Sequence, residues 1–225
     1  MAIALADALR ERGEDPVAVS ADALQVYEGL ETLTGAASPA ERERLEHRMV
    51  GVVPITQPFS VGEYMRLAHE EIDAAIAAGR RPIVVGGTGL YLRAAIANLS
   101  LVRLPPGAED NELWSEETRH PTVIAGLTME RGELYERIDA RVEAIAAAGA
   151  ADEVRRAEAA SPSRTARKAL GYEELLRGDV EAMKKRTRNY ARRQLTWMRK
   201  MANVRVIERT SLSDEEVARR IIEWI

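Results

Sequence analysis

Two short β-branched runs, Pro16-Val-Ala-Val-Ser20 and Pro82-Ile-Val-Val-Gly86, set the limits on this fold. Each opens on proline and stays apolar without alternation, the pattern of a strand covered on both faces. Between them Met65, Ala68, Ile72 and Ile76 recur at helical spacing and stop near Gly79. Strand, amphipathic helix and strand at such distances argue for βαβ units and a parallel sheet. Ligands of open α/β sheets bind beyond the carboxyl ends of the strands. Both runs carry chemistry there: Asp22 follows the first and Gly86-Gly-Thr-Gly89 the second.

The remaining pattern extends the same architecture. Ile3, Leu5 and Leu9 predict a helix over residues 2–12, entered with no cap and no preceding strand. Ser38-Pro39-Ala-Glu41 reads as a capping box with proline at the first helical position. Residues 48–54, 122–127 and 204–207 are strand candidates. Leu134, Ile138, Val142 and Ile145 mark a further helix, and Ser213 with Glu216 caps a last one. From about residue 150 the pattern turns helical, and Asp179 caps a helix to about 201. The stretch between 104 and 114 is polar and rich in turn formers, the place for a boundary or an excised insertion. The expected division is an α/β core over 1–106, a linker over 107–113 and the rest of the core over 114–225.

The 225 residues carry 32 Lys and Arg against 36 Asp and Glu, so a polyanion can be held only by a local patch. That patch is residues 184–200, which hold eight Lys or Arg and no acid. A solvated helix face ordinarily mixes the two signs. Tyr190 and Trp197 stand among Arg186, Arg188, Arg192, Arg193 and Arg199, and guanidinium groups with flat rings suit RNA. Cysteine is absent, which excludes disulfides and thiolate metal sites, and the three histidines show no ligand spacing. No apolar run reaches the length of a membrane span, and residues 1–15 lack the features of a signal peptide, so a cytoplasmic protein is expected.

Asp22 has two readings, a cap for the next helix or a base, metal ligand or hydrogen-bond acceptor at the sheet mouth. The Gly86–Gly89 segment permits close approach of a ligand, and Thr88 adds a hydroxyl. No Lys-Ser/Thr pair follows these glycines, so they are not a Walker loop.

Taken in order, several segments together resemble the tRNA dimethylallyltransferase family. Val19-Ser-Ala-Asp22-Ala-Leu-Gln25-Val-Tyr27, with Thr34 beyond it, resembles the segment of the catalytic aspartate. Pro82-Ile-Val-Val-Gly-Gly-Thr-Gly-Leu-Tyr91 resembles the second active-site segment. The stretch from Leu127 through Arg131 to Arg141 resembles the helix whose first arginine meets a diphosphate. Residues 166–174 and 188–197 resemble the tRNA-contacting turn and helix.

The resemblance implies an α/β, P-loop NTPase-like three-layer fold with a mostly parallel sheet, followed by a helical C-terminal region. It implies dimethylallyl diphosphate and tRNA as partners, Mg2+ as cofactor, and a monomer. Asp22 and Thr88 would be catalytic and Arg131 would bind diphosphate. Ala23, Leu24, Gln25, Lys168, Gly171, Tyr172, Arg188, Arg192, Arg193 and Gln194 would contact tRNA. The family's P-loop and its first strand are expected to be missing before residue 1, and its helical insertion between about 106 and 114. The alternative is an RNA-binding remnant without catalysis.

Overall fold

The computed structural model describes residues 1–100 and 111–225. The chain runs α1 (Ala2–Glu11), β1 (Pro16–Ser20), α2 (Glu31–Thr34), α3 (Pro39–Arg44), β2 (His47–Arg48), α4 (Val61–Ala77), β3 (Arg81–Val85) and α5 (Gly89–Ile96). It continues with α6 (Asn111–Trp114), β4 (Ile124–Thr128), α7 (Arg131–Ala147), α8 (Ala150–Ala159), α9 (Tyr172–Leu176), α10 (Val180–Lys200), β5 (Val204–Glu208) and α11 (Asp214–Ile222). All the described strands pair in parallel, as the βαβ spacing requires. They form two sheets, of order β2-β1-β3 and β4-β5, where a single sheet was expected.

β1 is the central strand of the larger sheet and is buried along its whole length. Its register with β3 sets Val19 against Val84 and Ser20 against Val85, so the two strands end side by side. β3 departs from the expectation of full cover: Ile83 is buried but Val85 is 41% exposed. The strand expected over 48–54 shrinks to the two residues of β2 and a single parallel bridge between Tyr27 and Val53. Met49 (φ 61°) and Gly51 (φ 61°) turn the chain out of extended conformation there.

α4 starts at a complete capping box, Ser60 with Glu63, and buries Tyr64, Ala68, Ile72 and Ala75. Ile76, read from the sequence as part of that stripe, is 41% exposed. The largest core gathers Val19, Tyr27, Tyr64, Tyr91 and Tyr172 with residues of α7 to α10. α1 joins the two sheets: Leu9 packs with Ala18 and Ile83, while Leu5 also packs beside Ile207 and Val217. Of the expected linker, residues 107–110 lie outside the described residues and Asn111–Trp114 form α6.

Candidate active site

The register of β1 and β3 delivers Asp22 and Thr88 to the same edge. The two loops then touch, because the backbone N–H of Ala21 donates to the Val85 carbonyl at 2.7 Å and that of Ala23 lies 3.5 Å from the Thr88 hydroxyl. One oxygen of Asp22, Oδ1, accepts from the N–H groups of Leu24 (2.9 Å) and Gln25 (3.3 Å). Oδ2 makes no hydrogen bond among the described residues. Asp22 thus caps a turn through one oxygen, where a helix cap was expected, and its other oxygen is without a hydrogen bond among the described residues.

The glycines after β3 are explained by close packing. A methyl group on Gly86 would strike the backbone of Ala21, one on Gly87 the amide of Gln194, and one on Gly89 the indole of Trp197. Two of those partners lie on α10. Gln194 donates from Nε2 to the Gly87 carbonyl at 3.0 Å, and the Tyr190 hydroxyl lies 3.1 Å from that of Thr88. The basic helix is thus a wall of the site, which its charge pattern alone did not reveal.

Behind the site, side chains lock the turn. The Ser20 hydroxyl donates to Gln25 Oε1 at 2.9 Å, and Gln25 Nε2 reaches the carbonyls of Thr34 and Gly35 at 3.4 Å each. The buried carboxylate of Glu153 accepts from the N–H groups of Thr32 (2.9 Å) and Leu33 (2.7 Å) and so fixes α2. Tyr64 donates to the Ser20 carbonyl at 2.9 Å and packs on Tyr91, with ring centroids 4.4 Å apart. Burial, seconded by nearby phenols and by the Asp22 charge, holds both phenols above their ordinary range, Tyr91 at about 12. Burial also raises Tyr190, and Asp22 adds to the rise. All three remain neutral hydrogen-bonding groups at physiological pH.

Arg131 opens α7 and forms no ion pair among the described residues. Its guanidinium lies 5.3 Å from the ring centre of Tyr135, and Arg188 lies 5.8 Å from the same ring. Arg188 is itself held by both oxygens of Asp139, at 2.7 and 2.9 Å, and Arg186 by Glu174. Arg192, Arg193 and Lys168 are exposed, Arg192 hydrogen-bonding Asn189 and Arg193 lying over the ring of Tyr190. Ala23, Leu24 and Gln25 are half-buried beside Thr88 and Asp22. Gly171 (φ 92°) and Tyr172 are buried, and the Tyr172 hydroxyl donates to Glu158 at 3.0 Å. The Tyr172 side chain is therefore a core element, a correction to its expected place at an RNA surface.

Sequence reasoning missed the bond from Tyr190 to Thr88, the brace from Tyr64 and the cap from Glu153. Tyr64 carried a signal, since it falls in helical phase with Ala68 and Ile72. The other two join residues more than a hundred positions apart, and spacing carries no trace of them. Among the described residues no three metal-ligating side chains converge. No described helix is long and apolar enough to cross a membrane.

A family model described as IPP transferase matches residues 25–120 and 106–201. The tRNA dimethylallyltransferase of Thermobifida fusca is 33% identical, over 89% of this chain and 82% of its own length. That of Caulobacter sp. is 34% identical, over 80% of each. Alignment with the Thermobifida enzyme runs over 263 residues, more than this chain has, so that enzyme carries residues without counterpart here. The two stretches matched by the family model meet at 106–120. The solved full-length tRNA isopentenylpyrophosphate transferase of Bacillus halodurans superposes with a TM-score of 0.82 at 25% identity, over 99% of this chain and 91% of that one. The Staphylococcus epidermidis structure shares the fold, with a TM-score of 0.82 at 23% identity over 98% of this chain and 93% of that one. An aspartate and a threonine on neighbouring strand ends, a basic helix closing over them, and these likenesses along nearly the whole sequence have one reading: the chain belongs to the IPP transferase family, that of the tRNA dimethylallyltransferases.

Proposed function

We propose that the protein transfers a dimethylallyl group from dimethylallyl diphosphate to the N6 amine of the adenosine 3′ of the anticodon in tRNA, in the cytoplasm and as a monomer. The observation that supports this best is an Asp22 oxygen without a hydrogen bond among the described residues, next in the chain to Ala23, whose N–H lies 3.5 Å from the Thr88 hydroxyl. An exocyclic adenine amine is a poor nucleophile, and a carboxylate that takes its proton during attack makes it adequate. In the step, the nitrogen–carbon bond forms as the allylic carbon–oxygen bond breaks. The diphosphate leaves with the electron pair, and Asp22 Oδ2 receives the proton. Thr88 holds the amine by accepting its second hydrogen. Arg131, at the start of α7 and without an ion pair among the described residues, neutralises the departing diphosphate. The target base leaves its stack to enter the site.

Lys168, Arg192 and Arg193 supply exposed cations for RNA phosphates, and Arg188 and Gln194 steady the helix that carries them. Ala23, Leu24 and Gln25 border the base. We place the residues that the Thermobifida enzyme has and this chain lacks at the join near 106–120. The resemblance implies Mg2+. Among the described residues no three metal-ligating side chains converge, and the second oxygen of Asp22 is assigned to the amine. No step is routed through a metal.

The test is transcribed tRNA incubated with dimethylallyl diphosphate and the protein, followed by mass spectrometry of the nucleosides. Prenylated adenosine is expected from the wild type and, at equal times, about 10²–10⁴-fold slower formation from Asp22→Asn. Equal yields from both would remove the proposed base. A second reading, RNA binding without catalysis, rests on residues 184–200 alone, whose eight Lys or Arg and no acid can hold phosphates whether or not a base acts. A wild type that binds tRNA with salt-sensitive affinity but shows no affinity for dimethylallyl diphosphate would establish that reading instead.

A further inference from the structure

We infer that Tyr190 is a positioning residue for the transfer, fixing the rotor of the Thr88 hydroxyl and so linking the RNA-facing helix to the reacting amine. The inference rests on the proposed function and goes one side chain further. A threonine hydroxyl has one hydrogen and two lone pairs. In the proposed step one lone pair of Thr88 must face the amine. The Ala23 N–H approaches the hydroxyl at 3.5 Å, a long contact that fixes little. The hydrogen of Thr88 needs an acceptor that turns it away from the substrate, and the Tyr190 oxygen is there at 3.1 Å. With Tyr190 in place, Thr88 presents acceptor density to the amine. Without it the hydroxyl rotates freely.

The position of Tyr190 on α10 adds a second element. Arg193 lies over its ring, with the guanidinium 5.3 Å from the ring centre, and Gln194 in the next turn is bonded to the Gly87 carbonyl. Arg193 is exposed and assigned to RNA. The same phenol therefore touches an RNA-side cation with its face and the catalytic threonine with its hydroxyl. Burial and the neighbouring Asp22 charge keep that hydroxyl protonated, so the contact persists through the working pH range.

The test is a double-mutant cycle on the wild-type, Tyr190→Phe, Thr88→Val and combined proteins, with steady-state prenylation of tRNA as readout. Tyr190→Phe is expected to lower kcat by about tenfold while KM for tRNA changes by less than about twofold, the mark of an interaction felt in the transition state. The combined variant is expected to be no slower than Thr88→Val alone. In a Thr88→Ser background, which keeps the hydroxyl, the response to Tyr190→Phe is expected to return. Thermal melting of each variant separates a folding defect from this effect. Should Tyr190→Phe melt early, the comparison of serine and valine backgrounds at a lower temperature still decides. Wild-type kcat in Tyr190→Phe, or losses that simply multiply in the combined variant, would overturn the inference and leave the proposed function standing. A wild type that prenylates no adenosine overturns the proposed function, and this inference with it.

Discussion

Asp22 divides its two carboxylate oxygens between the backbone and the open site, and the division separates two substitutions. Asparagine keeps an acceptor for the N–H groups of Leu24 and Gln25 but cannot take a proton. Alanine loses both. Asp22→Asn is expected to melt with the wild type and to lose about 10²–10⁴-fold in rate. Asp22→Ala is expected to lose the same activity and about 1 kcal/mol of stability, or about 2–4 °C in Tm for a chain of this size. Equal melting of the two variants would show that the turn does not need the cap. A second residue reports on pH. His69 hydrogen-bonds the Ala94 carbonyl at 2.8 Å, and burial holds its pKa below the ordinary imidazole value. The unfolded chain then binds a proton that the folded chain refuses. The stability this contributes is complete above the ordinary histidine pKa of about 6.5 and is lost as pH falls through the lower folded value. Urea unfolding at pH 7.5 and 5.5 should show a smaller loss on acidification for His69→Gln than for the wild type.

At the scale of elements, the caps matter because of what they hold. Ser60 starts α4, and α4 presents Tyr64 to the Ser20 carbonyl just before Asp22. Ser60→Ala is expected to cost about 1 kcal/mol, read as a lower midpoint in urea, with kcat close to that of the wild type. Much of this level was legible beforehand. The β-branched runs of β1 and β3, the capping boxes at Ser38 and Ser213, and Asp179 ahead of α10 all depend on contacts within a few residues, where spacing is informative. The site was legible in part for the same reason: Asp22 and Thr88 sit where strands end. What pattern could not supply was tertiary. The close approach of Gln194 and Trp197 explains Gly87 and Gly89 only once α10 is in place. Tyr172, with its neighbours of mixed polarity, gave no sign that its ring is fully buried. Ile76 kept helical phase yet faces outward, because Ala75 is the residue that meets the core. The positive φ of Met49 ended a strand that its sequence favours.

At the scale of the molecule, α1 ties the two sheets together. Leu9 of α1 is 1% exposed in the packing of the larger sheet, and Leu5 reaches the smaller one. Leu9→Ala is expected to cost about 2–5 kcal/mol. Unfolding followed by tryptophan fluorescence, which reports on Trp114, Trp197 and Trp224, should shift together with the circular dichroism of the whole chain. Separate transitions would mean that the sheets unfold independently. The placing of α10 has a practical consequence for anyone wishing to redirect the protein to a different transcript. Grafting a foreign recognition segment in its place would import new side chains at 190, 194 and 197, and with them a misshapen reaction chamber. On the proposed reading of α10 as the RNA-facing helix, specificity does not swap as a cassette; a retargeted version would keep the inward stripe of the old helix and redraw only its outer surface.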